Sequence, residues 1–158
     1  MRRLFTSGLA VVAGMVSVPM AVTPQPGPAT NTADYRTDPR LPVLRGFFAK
    51  AASPAMDYAA VFLEAADDYG LDWRLLPSLA FVESGGGKAA PRNNWFGWDS
   101  GRAAFPTPSA GIHMIGYRIA YSGNYRRKNL ERVLATYNPD PEYARKVRFV
   151  MRRIAPAE

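Results

Sequence analysis

Five stretches between residues 57 and 154 carry apolar residues at helical spacing, and most of them begin or end at a typical helix boundary. The first covers residues 57–69 and is followed by Gly70, a common helix stop. The others are expected at residues 73–83 after Asp72, from Ser109 through residue 121, at residues 129–137, and from Pro141 to residue 154 after Asp140. Pro77 lies early in the second helix and is expected to kink it or tighten its first turn. The pattern predicts a mainly α fold.

One segment between the second and third helices is not helical in pattern. Residues 94–105 are rich in glycine and aromatic residues. Residues 95–98 and 102–105, joined through Asp99-Ser100-Gly101, are expected to form a small hairpin or an irregular lobe. The predicted class is therefore a helical α+β domain with a small β or irregular lobe.

The N-terminal third is expected to lie outside this domain. Residues 1–21 begin with Arg2-Arg3, continue through a short apolar run and end in small residues, which is typical of an export signal. The run is shorter than the roughly 20 apolar residues of a spanning helix. Pro19 fits a cleavage site before residue 22 poorly, so release and retention as an anchor both stay open. The prolines of residues 22–50 predict a linker, which places the domain at residues 51–158 of an exported protein.

Charge and composition narrow the choice of partners and cofactors. The net charge is +7, and it falls to +5 without residues 1–21, which contain two arginines and no carboxylate. Such an excess attracts nucleic acid, anionic lipid or an acidic cell wall, and it is also common on soluble surfaces. The chain has no cysteine, and His113, its single histidine, has no second ligand four residues away. The sequence has no glycine-rich phosphate loop, which disfavours a nucleotide cofactor. Together these features predict neither a metal ion nor an organic cofactor.

Glu83 is the most informative single residue. It ends an apolar helical run and is followed by Gly85-Gly86-Gly87. The negative end of a helix dipole disfavours a carboxylate there by about 0.3–1 kcal/mol, and the neighbouring Phe81 and Val82 are apolar. Both effects raise the pKa of a carboxyl group, which is what a general acid needs. The alternative is an ordinary solvated glutamate at a helix end.

Three segments in order resemble a known family. They are Tyr69-Gly70-Leu71-Asp72-Trp73-Arg74-Leu75-Leu76 leading to Val82-Glu83-Ser84; Gly87-Lys88 followed by Asn93-Asn94-Trp95-Phe96-Gly97-Trp98; and Tyr137-Asn138-Pro139-Asp140-Pro141-Glu142-Tyr143-Ala144-Arg145-Lys146-Val147. The first resembles the opening of the lysozyme-like fold. Lytic transglycosylases share it, but their Gly-Leu-Met-Gln segment after Glu-Ser is absent here. The second and third are similar to the bacterial endo-β-N-acetylglucosaminidases that act as autolysins.

The resemblance implies a site and a substrate. Glu83 would be the proton donor, and Tyr137 would orient the substrate or an attacking water unless it is a core aromatic. Ser84, Asn94, Phe96 and Gly97 would shape the substrate cleft. Trp95 and Trp98 offer flat faces for sugar rings, and we expect one of them to stack on sugar and the other to pack in the core. The substrate would be the β-1,4 glycan strands of peptidoglycan, cut after N-acetylglucosamine.

The second catalytic group is less clear. Glycosidases commonly pair two carboxyl groups, about 5–5.5 Å apart for retention or 6.5–9.5 Å apart for inversion. Asp99 is the candidate, although aspartate is also a natural turn residue. Asp140 is better explained as a helix cap. If neither serves, the substrate's N-acetyl group or muramyl 6-hydroxyl could attack, so glucosaminidase, muramidase and transglycosylase products all stay open.

Two classes other than enzymes are the alternatives. A wall-binding module could keep this fold without turnover. A nucleic-acid binder is disfavoured by the export pattern and by the absence of a recognised nucleic-acid motif. The expected partner is therefore peptidoglycan and not nucleic acid, and the sequence predicts no oligomeric state.

Overall fold

The computed structural model describes residues 34–156. The predicted export signal at residues 1–21 and the first part of the predicted linker, up to residue 33, lie outside this range. The helices are α1 (Arg40–Lys50), α2 (Ala59–Tyr69), α3 (Leu75–Ser84), α4 (Pro108–Tyr121), α5 (Leu130–Tyr137) and α6 (Pro141–Ile154). Short 3-10 turns occupy Tyr35–Thr37, Pro54–Tyr58 and Pro91–Asn93. The prediction of a mainly α fold is confirmed.

Helix α3 lies at the centre of the domain. Its residues 75–80 are all buried, which is expected of a helix that is apolar around most of its circumference. It packs against α6, α2 and α4, and α2 also packs on α4 and α1. The end of α3 is thereby held by several neighbours, and Glu83 lies in this end.

Several predicted boundaries agree with the structure. Gly70 ends α2 with a left-handed backbone, at φ +61°. The side chain of Asn129 accepts a hydrogen bond from the Arg132 N–H and caps α5. Asp140 caps α6 in the same way, with Pro141 as its first residue. These boundaries depend on local chemistry, so the sequence alone was enough to predict them.

Other helix starts differ by a few residues. Thr107 and not Ser109 caps α4, because its hydroxyl accepts the Ala110 N–H. Helix α3 begins at Leu75 and not at residue 73, while the Asp72 carboxylate holds the backbone and guanidinium of Arg74. Pro77 falls in the first turn of α3, where a missing N–H costs little.

The linker prediction is wrong for residues 40–50. These residues form α1, whose Leu41, Leu44 and Phe48 are buried in the core. Pro39 and Pro42 flank or occupy the first turn of this helix, where proline is tolerated. Proline content alone therefore favoured a linker, although the apolar spacing of this segment fits a helix. The folded domain begins before residue 51.

The hairpin prediction is also wrong. No strand occurs within residues 34–156, and residues 94–107 consist of turns at 95–96 and 98–102, with irregular backbone and bends elsewhere. Gly97, Asp99, Ser100 and Gly101 all have positive φ, so the chain curls tightly instead of extending. Most of its backbone bonds are local, such as Gly101 N–H to the Gly97 carbonyl at 2.9 Å, while the Phe105 N–H reaches the Arg92 carbonyl at 3.0 Å. The lobe is irregular.

Among the described residues, no helix is long and apolar enough to cross a membrane.

Candidate functional site

Glu83 lies in the last turn of α3 and is partly buried. Burial raises the pKa of its carboxyl group above the ordinary value, because the charged form loses hydration. An interaction with the Tyr143 side chain acts in the opposite direction and is the smaller effect. The sequence expectation of a raised pKa therefore agrees in direction with the environment of this residue.

The backbone of Gly97 lies directly against the Glu83 carboxyl group. A Cβ atom at position 97 would lie 2.5 Å from Oε2 of Glu83 and 3.3 Å from its Cδ. Gly97 also has φ +59°, a conformation that favours glycine. The turn after α3 thus folds back onto the candidate acid, and a side chain at this position would displace it.

The turn at residues 94–98 is held by hydrogen bonds from two side chains, one inside the turn and one on helix α5. The Asn94 amide accepts the Trp98 N–H at 2.9 Å and donates to the Trp98 carbonyl at 3.0 Å, which closes residues 94–98 into a loop. The Tyr137 hydroxyl donates to the Phe96 carbonyl at 2.5 Å from the end of α5. Asn94 and Phe96 are themselves buried, so they shape the site by holding its backbone.

Ser84 has a similar structural contact. Its buried hydroxyl donates to the Trp95 carbonyl at 2.8 Å and accepts the Gly87 N–H at 2.9 Å. The hydroxyl is occupied by backbone and is withdrawn from solvent. The Ser84 side chain therefore ties the end of α3 to the following loop, and its predicted part in substrate binding stays a prediction.

Two tyrosines stand beside the carboxyl group. The rings of Tyr137 and Tyr143 stack with centroids 5.8 Å apart and planes 7° from parallel. Burial raises the pKa of both hydroxyls, and the charge of Glu83 raises them further, so both are protonated at neutral pH. The Tyr143 hydroxyl is buried and has no hydrogen bond of regular geometry, yet it lies close enough to Glu83 to lower the pKa of that carboxyl.

The two tryptophans occupy different environments. Trp95 is only 5% exposed, and its ring lies edge-on to Tyr58 and against Gly87, where a Cβ would be 2.5 Å from the indole. Trp98 is partly exposed and lies edge-on to Tyr137 at 5.8 Å. Trp98 can therefore offer a face to a ligand, whereas Trp95 packs in the core.

A cavity of about 370 Å³ opens beside this turn. It is lined by Gly97, Trp98, Asp99, Ser100, Tyr125 and Tyr137. Aromatic faces with a few polar groups are typical of sites for sugars and other small ligands. The cavity connects the predicted residues Gly97, Trp98, Asp99 and Tyr137, and through Gly97 it adjoins Glu83.

Asp99 is the carboxylate that lines this cavity. Its side chain is 54% exposed and pairs with Arg102 at 2.7 Å. Asp99 has φ +54°, which belongs to its position in the turn. This location is compatible with both interpretations of Asp99, as a turn residue and as the second acid.

Tyr143 and Tyr125 are the site residues that sequence reasoning did not single out. Tyr143 lies on the apolar face of α6. The hydroxyl of a buried tyrosine usually has a polar partner, so a tyrosine on this face was the signal that could have indicated a nearby polar group. Tyr125 lies in an irregular turn, where no periodic pattern indicates its burial.

His113 belongs to another face of the domain. Its Nδ1 is 3.3 Å from the Tyr69 hydroxyl, between α2 and α4. Within residues 34–156, no group of three or more histidine, aspartate or glutamate side chains is arranged to hold a metal ion.

The chain was compared with models of protein families, with curated proteins and with solved structures. None of the three comparisons gives a match. The site must therefore be interpreted from its own residues.

Proposed function

We propose that this protein is a peptidoglycan hydrolase that cleaves the β-1,4 bonds of glycan strands, with Glu83 as the general acid. The main observation is the placement of a partly buried carboxyl group, with a raised pKa, against the backbone of a turn that lines an aromatic cavity. A glycosidic oxygen must receive a proton as its bond breaks, and a protonated carboxyl group near neutral pH can supply it. The resemblance of the three sequence segments to the lysozyme-like endo-β-N-acetylglucosaminidases supports the same assignment.

The other side chains take supporting roles in this proposal. Trp98 offers a partly exposed ring on which a sugar could stack beside the acid. Tyr137 holds the Phe96 carbonyl and so positions the turn, which makes it a positioning residue in this geometry. Substrate contact through the Tyr137 ring is also compatible, because this side chain lines the cavity.

Asp99 is proposed as the second carboxylate. It lines the same cavity as Trp98 and Tyr137, and its half-exposed side chain pairs with Arg102. Its role would be to activate water or to stabilise positive charge on the sugar. If Asp99 does not act, the substrate's N-acetyl group or its 6-hydroxyl would complete the reaction.

The proposed setting is the cell envelope or the exterior of a bacterium. The amino-terminal pattern of residues 1–21 supports export, and an excess of basic residues suits an acidic wall. The rival in another class is a wall-binding module with the same fold and no turnover.

Mass spectrometry of fragments released from purified peptidoglycan tests the proposal. The full chain is compared with Glu83→Gln, which keeps the size and hydrogen-bonding capacity of the side chain but has no acidic proton. We expect soluble fragments from the wild type and at least a 100-fold loss in the variant, consistent with the usual contribution of general acid catalysis. Reducing N-acetylglucosamine ends would identify a glucosaminidase, and anhydromuramic ends a transglycosylase.

The opposite results are equally informative. Equal turnover by wild type and Glu83→Gln would refute the role of Glu83. Binding to peptidoglycan without any fragment, from a protein shown to be folded by circular dichroism, would replace the enzyme with the wall-binding module.

A further inference from the structure

A long groove with a basic rim runs along α6. Two adjoining cavities of about 590 Å³ each share Phe81, Phe149 and Val150 as part of their walls. One of them is also lined by Val82 and Glu142, the sequence neighbours of Glu83 and Tyr143. The groove therefore lies along α3 and α6, the two helices that carry Glu83 and Tyr143, and it continues toward the end of α6.

The floor of the groove is apolar and partly open to solvent. Phe149 is 55% exposed and Val43, at the far end, is 43% exposed. The guanidinium of Arg153 lies 6.0 Å from the centre of the Phe149 ring. Large apolar side chains in a concave surface are characteristic of binding grooves.

The rim carries an excess of positive charge. Five cations line the two cavities, namely Lys50, Arg145, Lys146, Arg152 and Arg153, against one carboxylate, Glu142. Glu142 pairs with Arg145. The other four cations form no ion pair with any carboxylate among residues 34–156. A ligand of this groove should therefore bring carboxylates of its own.

The dimensions favour an extended peptide. From Glu142 to Arg153, the helical rise of 1.5 Å per residue gives about 17 Å. An extended peptide of about five residues spans roughly the same length. The peptide stems of peptidoglycan are short, rich in alanine and furnished with free carboxylates, so they match the apolar floor and the basic rim together.

We propose that this groove binds the peptide stems of the glycan strand while the strand itself lies at Glu83. This inference rests on the proposed function and extends it, since it makes peptide-bearing glycan the preferred substrate. Attraction to a fixed cationic rim strengthens the binding of anionic stems and weakens at high salt.

The first arm of the test measures binding without catalysis. The pentapeptide L-alanine, D-glutamate, meso-diaminopimelate, D-alanine, D-alanine is titrated into the full chain and followed by NMR and calorimetry. We expect saturable binding whose Kd rises at least tenfold in Lys146→Glu/Arg152→Glu. The matched control is Arg118→Glu/Arg132→Glu, two exposed helical arginines outside the groove, and it should bind like the wild type.

The second arm measures turnover on two substrates. Lys146→Glu/Arg152→Glu should lose at least tenfold in kcat/KM on intact peptidoglycan and keep its rate on glycan strands stripped of peptide by an amidase. Lys146→Gln/Arg152→Gln serves as a milder pair should charge reversal disturb folding. Equal losses on both substrates, or the same loss in the control pair, would overturn the proposal.

The two proposals fail in different ways. If the wild type cleaves neither substrate, the proposed enzyme is wrong, while the peptide titration still decides whether the groove binds stems. If the pentapeptide does not bind but an acidic protein segment does, the groove belongs to a protein partner and this inference is wrong.

Discussion

A Cβ atom at Gly97 would lie 2.5 Å from Oε2 of Glu83, so the backbone of the turn and the carboxyl group are in direct contact. The close approach needs a residue without a side chain, and φ +59° at the same position favours glycine independently. One residue therefore sets both the course of the turn and the space available to the candidate acid. Burial of that carboxyl group follows from the same packing.

Gly97→Ala should reduce turnover by at least tenfold, because the added methyl group would displace the Glu83 carboxyl group. It should also lower stability by about 1 kcal/mol, the usual cost of placing alanine at a left-handed position. Turnover of peptidoglycan and thermal unfolding measure the two effects.

Gly101→Ala is the matched control for this substitution. Gly101 also has positive φ, at +79°, but a Cβ there meets nothing within 4 Å. We expect a similar loss of stability with most of the activity retained. Equal activity losses in both variants would mean that backbone strain, and not displacement of Glu83, is responsible.

The stability of the protein should depend on pH through Glu83. Burial raises the pKa of its carboxyl group in the folded state above the ordinary value of 4.5. Its contribution to stability is therefore complete below the unfolded pKa and is lost as pH rises through the folded pKa.

Thermal unfolding of the wild type and Glu83→Gln across acidic to neutral pH measures this effect. The stability of the wild type relative to the variant should fall over that window and then level off. Tyr143→Phe removes an interaction that lowers the pKa of Glu83, so it should move the window to higher pH. A constant difference between wild type and Glu83→Gln would contradict a raised pKa.

Tyr137→Phe should loosen the turn that carries Gly97. The substitution removes the hydrogen bond to the Phe96 carbonyl, and an unsatisfied buried carbonyl costs about 1–3 kcal/mol. We expect a lower Tm, measured calorimetrically, and a fall in kcat larger than the change in KM. Tyr125→Phe is the control, because Tyr125 lines the same cavity but its hydroxyl forms no hydrogen bond with any described residue. An unchanged Tm in Tyr137→Phe would show that its hydrogen bond does not support the turn.

The sequence predicted what depends on local chemistry. Asn129, Asp140 and Gly70 mark helix boundaries because capping and left-handed stops act within a few residues. The mainly α fold follows from the same periodic segments. The cap of α4 was predicted less exactly: it is Thr107 and not Ser109, because two hydroxyl residues compete for this position.

Helix α1 and the irregular lobe were not predicted. The prolines around α1 suggested a linker and outweighed the helical spacing of Leu41, Leu44 and Phe48, which pack in the core. In the lobe, aromatic residues on both sides of the turn at Asp99-Ser100-Gly101 suggested a hairpin, whereas successive positive φ values at Asp99 and Ser100 curl the chain. Neither residue type requires that conformation, so the sequence did not indicate it.

The candidate site was predictable in part. Glu83 was indicated by its helix end and its glycines, and its environment agrees with the expected direction of its pKa. The separate locations of Trp95 and Trp98 depend on tertiary packing, which spacing does not reveal. Tyr143 reaches Glu83 from α6, a helix distant in sequence, and this pairing is visible only in three dimensions.

Asp99→Asn tests the second carboxylate. If Asp99 activates water or stabilises the sugar cation, removing its charge should lower kcat by roughly 100-fold, as is usual for a group that acts in the transition state. Arg102→Gln is the matched variant, because it removes the ion-pair partner at 2.7 Å and leaves the carboxylate in place. Its loss should be much smaller, since an exposed ion pair contributes little to fixing a side chain. Single-turnover rates on peptidoglycan, with the fragment ends identified by mass spectrometry, separate the two variants. Nearly full activity in Asp99→Asn would transfer the role to the substrate's own N-acetyl or 6-hydroxyl group, and the anhydro or reducing end of the product would decide between them.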